Sequence, residues 1–146
     1  YRDGITPAIG RTIKAVDDER LAVARALGVP SASFLENFHQ AGLTTREAME
    51  SGDISRACAE SEPNKAIRSP PSLDYRYMHE DVGYGLVPFA AFGDLAGVET
   101  PTIDALIHVA SAMMGIDFAH DGLTLEKMGL AGLKADDLAR FVEQGA

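Results

Sequence analysis

The stretch "ETPTIDALIHVASAMMG", Glu99 to Gly115, carries helix punctuation at both ends. Thr100 suits the capping position and Gly115 suits the stop. Pro101 suits the first helical position, because its missing N–H would have no helical partner there anyway. Between them Ile103, Leu106, Ile107, Ala110 and Met114 recur at helical spacing and line one face. Just upstream, "EDVGYGLVPFAAFGDLAG" is apolar nearly all round, which suits a helix buried in a core. Pro88 within it lacks an amide donor and clashes with the preceding turn, so a kink is expected between Tyr84 and Pro88.

The same punctuation recurs further out. In "GITPAIGRTIKAVDDERLAVARALGVP" Thr6 caps, Pro7 opens and Gly28 closes a helix, and Ile9, Ile13, Val16, Leu21, Ala24 and Leu27 predict one buried stripe. "SASFLENFHQAG" predicts a shorter helix capped by Ser31 or Ser33, and "TTREAMESG" another, capped by Thr44 or Thr45 and ended by Gly52. "LTLEKMGLAGLKADDLARFVEQG" predicts a short helical turn and then an amphipathic helix carrying Leu138, Phe141 and Val142. From Asp53 to Asp74 periodicity fades. "EPNKAIRSPPSLD" holds three prolines and is expected to be an ordered loop joining two helical halves. No run alternates with period two, so the fold class is all-α, with roughly six to eight helices. Residues 1–146 are expected to form a single α-helical domain.

Composition narrows the function. A net charge of −9 leaves no concentrated basic face for nucleic acid, although one or two arginines can still hold a small anion. The single cysteine, Cys58, has no partner for an internal disulfide, which suits a reducing compartment and a cytoplasmic location. No apolar run reaches the roughly 20 residues of a membrane span. The opening "YRDGITPAIG" has neither a signal peptide's blocks nor an initiator Met, and is expected to lie inside a longer chain. The histidines at 39, 79, 108 and 120 lack metal-ligand spacing, so no metal site is expected. His108 suits a core or groove position with a hydrogen bond, and Met113–Met114 suit core filling.

The chemistry-bearing candidate is "RYMHED", Arg76 to Asp81. Two readings stand side by side. In the first, Glu80 and Asp81 open a helix and complement its dipole, while Arg76 pairs with either acid on the surface. In the second, a carboxylate fixed at a helix start orients an imidazole delivered from elsewhere, and Arg76 clamps an anion by forked hydrogen bonds. His79 beside Asp81 invites a role as stand-in base, but residues so close in sequence leave a helix on different faces.

"YRDGITPAIGRTIKAVDDERLAVARALGV", "RYMHEDVGYGLVPFAAFGDLAGVETPTIDALIHVASAMMG" and "LTLEKMGLAGL" together resemble the C-terminal α-helical domain of the octopine/nopaline (opine) dehydrogenase family. The most specific parts are R-[FY]-x-x-E-D-[VI]-x-[YF]-G-L-V and the following "TPTIDALI". The resemblance implies a compact multi-helix domain of the 6-phosphogluconate-dehydrogenase C-terminal-like type. It implies a partner, an N-terminal dinucleotide-binding domain of the same chain that binds NAD or NADP and is missing from these residues. The implied reaction condenses an amino acid with a 2-oxo acid and reduces the imine to a secondary amine dicarboxylate. By the same motif Asp81 is the catalytic partner of a histidine, and Arg76 reaches the cofactor's pyrophosphate. That histidine lies in an H-P segment upstream of the match to Tyr1, so the present residues alone should not turn over substrate. The family usually has proline where Gly83 stands.

Two further readings follow from the same residues. A non-catalytic interaction module would explain apolar helices 86–96 and 103–114 as cover for a partner subunit, as in a homodimer, or for the absent domain. A helical domain of a 6-phosphogluconate- or ketopantoate-type reductase keeps the enzyme class, but those groups use a lysine-centred site.

Overall fold

A computed structural model describes residues 4–144. The first three residues of the resembling stretch, Tyr1–Asp3, lie outside the described residues. The elements are α1 (Pro7–Ala26), α2 (Phe34–Gln40), α3 (Arg46–Glu50), α4 (Ile54–Ala59), a π-helix (Tyr77–Leu86), α5 (Val87–Ala96), α6 (Pro101–Met114), α7 (Phe118–Asp121) and α8 (Ala135–Gln144). No strand occurs among the described residues, and the fold is all-α as expected. The helical segments outnumber the expectation because α4 and α7 are short pieces of six and four residues, and because the apolar stretch before α6 divides into a π-helix and α5.

The chain divides into two compact units. One holds the residues up to Leu21 and Ser31–Pro70, the other Ala22–Pro30 and the residues from Pro71 onward. In the first unit, Phe38, Ala48, Ile54, Ala57 and Cys58 form the core, with Ile13, Phe34 and Leu35 packed against it. Phe34 and Phe38 stack at 5.2 Å between ring centroids. Ser33 and Glu36 form a reciprocal capping box at the start of α2, and the two hydrogen bonds from Ser33 hold the Glu36 carboxyl below its usual range. Asp17 joins α1 to that start, accepting from the Phe34 amide at 2.8 Å while it pairs with Arg20 at 2.7 Å. Gly10 sits where an added Cβ would lie 2.9 Å from the Ser55 amide nitrogen, so α1 approaches α4 at backbone distance.

Several expectations shift here. The stripe of α1 is only partly covered, with Ile9 exposed and Val23 the buried hydrophobic residue of the helix. Residues 53–59, where the periodicity fades, contain α4, whose start is capped by the Asp53 side chain accepting from the Arg56 amide. Thr45 caps α3 as anticipated.

In the second unit the π-helix, α5, α6 and α7 pack on one another. Val82, Val87, Ile103, Ile107, Ala110 and Phe118 are buried there. Gly93 lets α5 approach the start of α6, since a Cβ would meet Thr100 Cγ2 and the Val98 carbonyl oxygen at 2.9 Å each. Thr100 occupies the cap position but makes no side-chain cap bond; its hydroxyl donates instead to Asp104 at 3.4 Å. In α8, Leu138 and Phe141 are half-buried, whereas Val142 is 72% exposed and leaves the expected apolar face.

The kink expected before Pro88 takes the form of a change in helical register. The Val87 amide donates to the Val82 carbonyl, five residues back, rather than to Gly83. Pro88 has no N–H, so neither Gly83 in the π register nor Tyr84 in the α register can receive a bond from it. The Gly83 carbonyl is satisfied from outside, accepting from the Leu123 amide at 2.8 Å.

Candidate functional site

The π-helix begins at Tyr77, with Arg76 at its cap position and no side-chain cap bond. Asp81 therefore lies in the helix interior, one turn later than the sequence suggested, and the helix-dipole argument for it falls away. The helix is two-faced. Val82 and Gly83 are buried, while Arg76, Tyr77, Glu80, Asp81 and Tyr84 are exposed along the other side. Tyr84 is 65% exposed, unusually open for so large an aromatic ring in a helix.

The charged groups of the motif divide sharply. Arg76 Nε lies 3.5 Å from Glu80 Oε2, a loose surface pair one turn apart, and its guanidinium sits 5.8 Å from the Tyr77 ring centroid. His79 Nε2–H donates to Asp74 Oδ1 at 2.8 Å, and its ring packs edge-on to Phe118 with 6.4 Å between ring centroids. The carboxylate partner of His79 is thus Asp74 and not Asp81. Asp81 is exposed and has no hydrogen-bond or ion-pair partner among the described residues. The motif thus offers one uncommitted carboxylate flanked by a weakly tethered guanidinium and two tyrosine rings.

A cleft of about 370 Å³ lies between α5, α6 and the α7 region. Asp94, Asp104, His108, Ser111, Asp117 and Thr124 supply its polar lining, and Val87 and Ile107 part of its apolar lining. Arg76 and Asp81 are not part of it. His108 is an exposed groove residue rather than a core one. Asp104, His108 and Ser111 recur at i, i+4 and i+7 on α6, the spacing that marks a shared helix face and the signal that sequence reasoning passed over. No group of three or more His, Cys, Asp or Glu among the described residues could hold a metal ion.

A solved octopine dehydrogenase, with NADH and L-arginine, matches 94% of this chain and 40% of its own at a TM-score of 0.74 and 21% identity, a likeness of fold. Residues 1–114 match the family model of the NAD/NADP octopine/nopaline dehydrogenase alpha-helical domain, and the chain belongs to that family. An opine dehydrogenase of Arthrobacter sp. (strain 1C) is 39% identical over 147 residues, covering 98% of this chain and 38% of that protein. Protein ocs of Agrobacterium tumefaciens (strain Ach5) is 29% identical over 143 residues, covering 96% and 37%. The chain thus spans under two-fifths of the length of these relatives. No helix among the described residues is long and apolar enough to cross a membrane.

Proposed function

We propose that these residues form the substrate-side helical domain of an NAD(P)H-dependent opine dehydrogenase, which joins the amine of an amino acid to a 2-oxo acid by reductive condensation. The observation that carries this is Asp81, an uncommitted carboxylate on an open helix face beside charged neighbours that are already paired. A dinucleotide-binding domain of the same protein supplies the cofactor fold and a histidine. Asp81 accepts a hydrogen bond from that imidazole, fixes its tautomer and stabilises its protonated form, so that the ring can give a proton to the substrate and take one back. The buried thiol of Cys58, which is in no disulfide, suits the cytoplasm.

Only part of the cofactor fits the residues present. One guanidinium, 65% exposed, matches a phosphate contact, and there is no strand with a glycine-rich loop among the described residues to cradle a dinucleotide. When bound, the nicotinamide supplies the hydride. Arg76 contributes the phosphate contact: leaving Glu80 costs roughly zero to 1 kcal/mol, less than a charge-assisted pair with a phosphate returns.

In the complete gene product, an amino acid and a 2-oxo acid supplied together should drive oxidation of NADH or NADPH, and neither alone should. Absence of turnover across a broad panel of such pairs would overturn the reading. Arg76→Ala should raise KM for the reduced cofactor about tenfold, the worth of one charged hydrogen bond, with kcat changed far less. Steady-state kinetics with the cofactor varied checks this.

A further inference from the structure

The π-helix is ten residues long, whereas π segments are mostly single turns, frequently at functional sites. Its cause can be traced in the structure. Pro88 withholds the amide that would continue an α-helical ladder, the Val87 amide reaches back to Val82, and Leu123 supplies the missing donor to Gly83. Glycines at 83 and 85 reduce the preference of this segment for the α register. Gly122, next to the donor, brings the α7 turn to backbone distance, since a Cβ there would lie 2.6 Å from the Gly83 carbonyl oxygen.

The register decides where Asp81 points. Counted back from Val87, six residues in a helix with five-residue bonds accumulate less rotation than six in an α-helix, a difference of roughly 100°. In the α register, at roughly 100° per residue, Asp81 would lie about 140° around the helix from Arg76, whereas in the π register the two share the exposed face.

We infer that Pro88 and the Leu123 amide are positioning residues: they hold the π register that sets Asp81 beside Arg76 on the open face. The inference rests on the catalytic reading of Asp81 given above. Pro88→Ala restores the amide and permits a continuous α-helix, which frees the Gly83 carbonyl from Leu123.

Three measurements on the full-length enzyme test it. Amide exchange at Leu123 should accelerate in Pro88→Ala. Its kcat should fall about 10- to 100-fold, the cost of a small misplacement at a reacting centre, while KM for the reduced cofactor stays within about twofold and Tm does not drop. In an Asp81→Asn background, Pro88→Ala should cost no further turnover, because both changes act through one group. Unchanged exchange at Leu123, faster exchange with undiminished kcat, or an equal loss in both backgrounds would each overturn the inference. Full turnover in Asp81→Asn alone would remove the catalytic reading itself, and the positioning role with it, whatever Leu123 does.

Discussion

Asp81→Asn in the full-length enzyme is expected to lower kcat by about 10²- to 10⁴-fold, the range attached to a positioned acid–base group and its orienting carboxylate. Folding and cofactor affinity should change little. The side chain is exposed and makes no hydrogen bond among the described residues, so the amide breaks nothing within this domain. The amide is nearly the same size as the acid and differs in charge and in offering a donor where the carboxylate only accepts. It can therefore favour the wrong tautomer of an approaching imidazole and cannot stabilise its charged form. A pH profile separates this from a general weakening. Loss of the carboxylate should lower the pKa of the histidine in kcat/KM, because an opposite charge that favours imidazolium is gone. Wild-type kcat with an unmoved profile would exclude Asp81 from the chemistry. The effect should be far smaller for Glu80→Gln, since Glu80 makes only a loose surface pair with Arg76 and has no part in the proposed acid–base pair.

Much of the first tier was legible because it is local. Thr45, Ser33 and Pro101 open helices where their chemistry requires, and Gly28, Gly42, Gly52 and Gly115 follow helix ends with positive φ. What stayed hidden depends on partners distant in sequence or on segments too short to show a period. Helix α4 is six residues long, under two turns, so Ile54, Ala57 and Cys58 produce no periodic signal despite forming core. The division near Pro70–Pro71 falls in the proline-rich stretch that looked like a connector. Within the site, the sequence left Arg76 to pair with either acid, and the structure chose Glu80 over Asp81. The helix start was misplaced because acids at 80 and 81 resembled dipole partners, whereas the backbone turns at Tyr77 with no capping side chain. The π register was not legible from Tyr77–Leu86 at all. Pro88 signalled a disturbance, but its form depends on the Leu123 amide donating to Gly83 from some forty residues further along the chain than that glycine.

That dependence gives the second large effect, on stability. Gly122→Ala is expected to destabilise the fold by about 3 kcal/mol, combining overpacking with the loss of a buried backbone bond. Backbone strain is not the cause: φ is −70° and ψ −172°, open to any residue. The obstacle is space. A Cβ at 122 would lie 2.6 Å from both the Gly83 and the Phe118 carbonyl oxygens, and 2.9 Å from Val87 Cγ2. Neither carbonyl can swing aside cheaply, because Gly83 accepts from Leu123 and Phe118 accepts from Gly122 itself. Relief requires α7 to lift from the π-helix, breaking the Leu123 bond and loosening Phe118, which is buried against that helix. Gly83→Ala provides the contrast, since its Cβ would meet Phe118 Cδ1 at 3.5 Å, an ordinary contact. It should be neutral or stabilising by up to about 1 kcal/mol through reduced chain entropy in the unfolded state. Urea unfolding followed by helical circular dichroism distinguishes the two: a large drop in midpoint for Gly122→Ala and none for Gly83→Ala supports the close approach, and matched midpoints would show that α7 does not seat on the helix as described.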